Sequence, residues 1–77
     1  MRYYIVETQH RADGEINLLP TVSRSTFAGG LNYFHERVSK MVVNEDFVSV
    51  SVLLVDDNLT HINNCHAYIH DGMVELS

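Results

Sequence analysis

The chain has 77 residues, with ten Asp and Glu against five Lys and Arg, and a formal charge of −5. That length makes residues 1–77 a single domain near the lower end of what folds unaided, because a chain of about 60 residues buries only about 60% of its unfolded surface. That charge opposes a phosphate backbone, and Arg2, Arg11, Arg24, Arg37 and Lys40 are scattered rather than clustered, so no extended nucleic acid is expected as a partner.

A hydrophobic share of 45% with 19% charged residues reads as globular rather than disordered. Cys65 has no second cysteine to pair with, and the opening MRYYIVE lacks the apolar run of a signal peptide. A cytoplasmic protein, in a bacterial host, is the expectation. No apolar stretch approaches the roughly 20 residues that span a bilayer, so no membrane partner is expected.

Arg2 to Arg11 forms the first predicted strand, rich in aromatic and β-branched residues. Tyr3, Ile5, Glu7 and Gln9 point one way, and Tyr4, Val6, Thr8 and His10 the other. Asp13-Gly14 supplies the positive φ of a tight hairpin, which folds Glu15 to Thr21 back as an edge strand ending at Pro20.

Arg24 to Val43 is the only segment with a helical period: Phe27, Leu31, Phe34, Val38 and Met41 line one face. Ser23 or Ser25 is the predicted cap. Gly29 and Gly30 each cost about 0.8–1 kcal/mol inside a helix. Either the helix starts after them, near Leu31, or their missing side chains admit a close neighbour. Asp46 to Asp56 is the clearest strand, with Val48, Val50, Val52 and Leu54 assigned beneath the helix and Phe47, Ser49, Ser51, Leu53 and Val55 on the opposite face. After a turn at Asp57-Asn58, Thr60 to His70 is the last strand, with Asn63-Asn64 as a candidate bulge. The tail from Met73 is too short to assign.

The predicted architecture is α+β, in the order β-β-α-β-β: a four-stranded antiparallel sheet with one helix on one face. If Tyr3, Ile5, Leu53 and Val55 lie on the face without the helix, a second subunit is expected to cover it, most simply as a two-fold dimer.

No motif of known chemistry stands out. His66 and His70 are four apart in a strand, about 13 Å at roughly 3.3 Å per residue, too far for one metal ion. Cys65 lacks an orienting partner, and no paired carboxylates are visible. No enzyme activity, metal or cofactor is expected.

The run YYIVE at Tyr3 to Glu7 with Gln9, Asp13-Gly14, Tyr33-Phe34-His35, Val38-Ser39, VSVSVLLVD at Val48 to Asp56, Ile62 and Cys65 together resemble a family of very small proteins common in phages and prophages of gut bacteria. The resemblance covers about nine-tenths of the chain and departs at Gly29-Gly30. It implies a phage-type cytosolic protein, of a kind often acting in counter-defence by binding; it carries no activity or catalytic residue.

The leading expectation is a non-enzymatic protein whose oligomer sequesters a small anionic, nucleotide-like ligand. Gln9, Arg11, Tyr33, His35 and Arg37 are its candidate residues, as cations, hydrogen-bonding groups and a stacking ring. Two other readings stand beside it. One is an acidic inhibitor of a host nuclease or CRISPR effector, and the other a self-associating structural or assembly protein of the phage particle.

Overall fold

The computed structural model describes all residues, 1–77. One α-helix lies on an antiparallel sheet, which places the chain in the α+β class. The strands are β1 (Tyr3–Arg11), β2 (Ile16–Leu18), β3 (Val22–Arg24), β4 (Phe47–Val55), β5 (His61–His70) and β6 (Met73–Leu76); the helix α1 (Phe27–Val42) follows β3. The sheet runs β2-β1-β4-β5-β6, with β3 also paired to β1.

The sheet therefore has six strands rather than the expected four, for two local reasons. Pro20 interrupts the edge beside β1 without ending it: β2 pairs with Thr8 to His10, and β3 resumes the edge against Tyr3 to Ile5. Proline offers no N–H to the ladder, so the break falls where the chain has no donor to give. At the other end, Asp71 (φ 52°) and Gly72 (φ 74°) form a tight turn that sends β6 back along β5. Four residues are enough for a strand when a primed turn sets their register.

The helix begins at Phe27, the first residue of the apolar row, but its cap is not the expected serine. Thr26, not Ser23 or Ser25, is the cap, its Oγ1 accepting from the Gly29 N–H at 3.0 Å, because Ser23 and Arg24 are held in β3. Gly29 and Gly30 lie inside the first turns of α1, which excludes a start near Leu31. A Cβ on Gly30 would stand 3.1 Å from Leu54 Cδ1 and 3.2 Å from Tyr3 Cβ, so the missing side chain lets the helix settle onto the sheet. Gly30→Ala gains about 1 kcal/mol of helix propensity but overpacks a site whose neighbours are a fully buried leucine and a strand-anchored Cβ, at about 1–3 kcal/mol. A net loss of about 1 kcal/mol is expected from urea unfolding.

The core forms between α1 and one face of the sheet, from Phe34 and Met41 above and Ile5, Val50, Val52, Leu54, Cys65, Ala67 and Ile69 below. Two irregularities decide which side chains reach it. A register shift opposite His10 and Arg11 turns Phe47 toward the core and leaves Val48 55% exposed, the reverse of simple alternation. A second irregularity at Asn63-Asn64, where Asn64 adopts φ 63°, lets Val55 pair with His61 while Leu53 pairs with His66. Tyr3 and Ile5 lie on the helix side, so Tyr4 and Val6 occupy the open face in their place.

Candidate functional site

Beneath the helix the sheet carries a buried polar cluster instead of a continuous apolar surface. Strand alternation places Glu7 and Gln9 in the same row as Ile5, and α1 brings Arg37 across to them. Arg37 Nε donates to Glu7 Oε1 at 2.6 Å and its second guanidinium nitrogen to Oε2 at 2.8 Å. Gln9 Nε2 donates to the same Oε2 at 2.6 Å and lies 3.6 Å from Met41 Sδ. The Glu7 side chain is only 5% exposed, and no buried side-chain nitrogen or oxygen is left without a partner. The hydrogen bond to Glu7 pushes the Arg37 guanidinium above its ordinary value, burial opposing it, so the cation persists wherever the domain is folded.

Of the five residues singled out in the sequence, the fold joins Gln9 and Arg37 through Glu7, whose sequence signal was its place in the Tyr3–Ile5–Gln9 row. It does not join the other three to them. Arg11 lies at the end of β1 over the Phe47 ring at 5.8 Å, with Glu15 at 4.0 Å. Tyr33 lies on the helix flank beneath the Arg24 guanidinium, 4.9 Å from the ring centre, in a shallow depression with Gly29, Asn32 and Glu36. His35 is exposed, its ring edge-on to Phe34.

The face of the sheet without the helix is covered by no other element. Strand register sets out its rows: Ile16, His10, Ser49, His70 and Met73; then Leu18, Thr8, Ser51, Tyr68 and Glu75. Val6, Leu53 and His66 make a third row, and Ser23, Tyr4, Val55 and His61 a fourth. Leu18 is 76% and Tyr68 41% exposed. The only lysine or arginine touching this face is Arg2 at its rim, against Ser23.

Four of the five histidines lie on this face. His66 Nε2 is 3.0 Å from Ser51 Oγ, and His70 sits 3.8 Å from Asp71 and 3.6 Å from Glu75. No three His, Cys, Asp or Glu side chains converge where a metal ion would fit. Cys65 is buried on the helix side, and burial pushes its thiol up, away from the reactive thiolate. No helix is long and apolar enough to cross a membrane.

The fold and its surfaces thus define a small one-helix, antiparallel α+β domain with a buried ion pair and a broad uncovered sheet face. No family model, curated protein or solved structure matches the chain.

Proposed function

We propose that this chain is a non-enzymatic binding protein that works as a self-association of identical copies, with a second copy covering the open sheet face. The single observation that carries the reading is that face. It mixes Ile16, Leu18, Tyr4, Val6, Leu53, Tyr68 and Met73 with small hydroxyls and four histidines, and Arg2 at its rim is the one lysine or arginine on it. The face spans the whole sheet, five strands wide, in a molecule of 38 × 20 × 17 Å. Aromatic rings and uncharged side chains at the centre with acids at the rim are the composition such interfaces favour.

The ligand of this assembly, in our reading, is a small anionic, nucleotide-like molecule. Its support is the Arg24–Tyr33 pair, a guanidinium over a half-buried aromatic ring beside Gly29 and Glu36, which offers a cation and a ring at one place. Arg37 and Gln9 do not line this depression, and their donors are engaged by Glu7. The resemblance to small phage proteins supports a counter-defence setting for such sequestration.

Thr8→Lys tests the assembly. Thr8 lies mid-face, half-buried, in the row of Ser51 and Tyr68. A lysine there projects away from the core and bars close approach of a second face. Sedimentation of the wild type should give a dimer or larger species, and the variant an association at least a hundredfold weaker with an unchanged circular dichroism spectrum. A wild-type protein that stays monomeric at high concentration refutes the reading. Native mass spectrometry of the protein isolated from a bacterial host tests the ligand: a nucleotide-sized adduct that disappears in Arg24→Ala is the expected result.

A further inference from the structure

The two edges of the sheet are built differently. One is the interrupted pair β2 and β3, three residues each, broken at Leu19 to Thr21 around Pro20. The other is β6, which pairs with β5 on one side and has no proline, lysine, arginine or covering element on the other. All four of its residues are exposed, Met73, Val74 and Leu76 among them. Natural sheets usually blunt such an edge, because unpaired N–H and C=O groups are a template for another strand.

The hydrogen-bond parity of this edge follows from its neighbour. Ser77 and His66 exchange both ladder bonds, at 3.0 and 3.3 Å. In an antiparallel ladder such pairs alternate, so Glu75 and Met73 also turn their backbone groups toward β5, while Val74 and Leu76 turn theirs outward. From this we propose that β6 is a second self-association edge: the β6 strands of two copies pair antiparallel about a two-fold axis at Val74, joining the two sheets into one.

The occupant follows from the contrast between the edges. Extending the sheet with another copy through β2 and β3 would place the interrupted edge against β6, where Pro20, with no N–H to donate, breaks the ladder between the two strands. Pairing of β6 with itself is the contact that remains, and it closes as a two-fold rather than growing into a filament. Charge selects the register. An axis at Glu75 would set two carboxylates directly opposite each other, whereas an axis at Val74 pairs the two valines and sets Met73 opposite the partner's Glu75. This edge contact is independent of the open-face contact; together they would build an assembly larger than a dimer.

The test is Val74→Cys under mild oxidation. A directly opposed, hydrogen-bonded antiparallel pair has Cα atoms about 5.5 Å apart, within the roughly 4.4–6.8 Å of a disulfide. The variant should cross-link to a covalent dimer, visible on a non-reducing gel and located by mass spectrometry to residue 74. Cys65 is buried and should not compete. Glu75→Cys is the register control: it opposes Met73 of the other copy, so its own two thiols lie too far apart to join. Val74→Pro removes the outward N–H and should weaken association through this edge at least tenfold, while the β5 ladder keeps its bonds. Cross-linking that persists in Val74→Cys combined with Thr8→Lys shows the edge contact to be separate from the open-face one. No cross-link at residue 74, or efficient cross-linking at 75 instead, overturns the proposal whatever becomes of the open face.

Discussion

Replacing Arg37 with methionine should destabilise the domain by about 3–5 kcal/mol, because it leaves the Glu7 carboxylate buried without its cation. A domain of this size is stable by only about 4–12 kcal/mol, so the loss removes a large share of the total. The remaining partner cannot make it good: Gln9 supplies one neutral N–H where the guanidinium supplied two charged ones. The informative variant is the double one, Glu7→Gln with Arg37→Met, which removes both charges. It should recover more than half of the loss, since an unpaired buried charge costs more than an apolar replacement of the pair. Urea unfolding of the four proteins gives the cycle. Additive losses would mean that the two side chains do not act as one unit. The pH dependence is constrained as well. Arg37 has its pKa raised, so its contribution is fully present below the ordinary guanidinium value and is lost only as pH rises through the higher folded one. At any pH used for folding studies, the arginine side of the pair is constant.

Phe34→Ala should cost a similar amount, about 3–5 kcal/mol, by a different mechanism. Phe34 is fully buried and is the largest side chain in the core, where α1 meets β4 and β5. With a single helix on the sheet, no second layer can move in to fill the void. The variant should show a lower urea midpoint and lose cooperativity before it loses secondary structure, read by near-ultraviolet against far-ultraviolet circular dichroism. Phe34→Leu keeps most of the volume and should cost less than half as much. Equal stability for the alanine variant and the wild type would mean that Phe34 is not the centre of the core. The open-face and β6 substitutions should by contrast leave monomer stability nearly unchanged, because those side chains border solvent in the single chain. That separation lets assembly be tested without unfolding the domain.

How much of this was legible beforehand can be followed residue by residue. The turn at Asp13-Gly14, the helical row through Phe34 and Met41, the aliphatic row of Val50, Val52 and Leu54, and the bulge at Asn63-Asn64 are all written in a few neighbouring residues. Local chemistry suffices there: positive φ selects glycine and asparagine, and apolar spacing repeats with the helix or the strand. The position of Gly30 was legible as a possible close approach, but not which side chains approach it.

The sequence by itself determined the class of the domain, its single helix and the neighbours of its hairpins, since each rests on contacts within a short span of chain. Only the tertiary structure decided which sheet face the helix covers, so that Ile5 rather than Val6 is core, and that Phe47 rather than Val48 turns inward. It alone joined Glu7 to Arg37, 30 residues away, and made an edge strand of Met73–Leu76. The physical reason is common to these cases. Alternation puts side chains on two faces but does not label them, and the label comes from the packing of a distant element, whose register one bulge can shift.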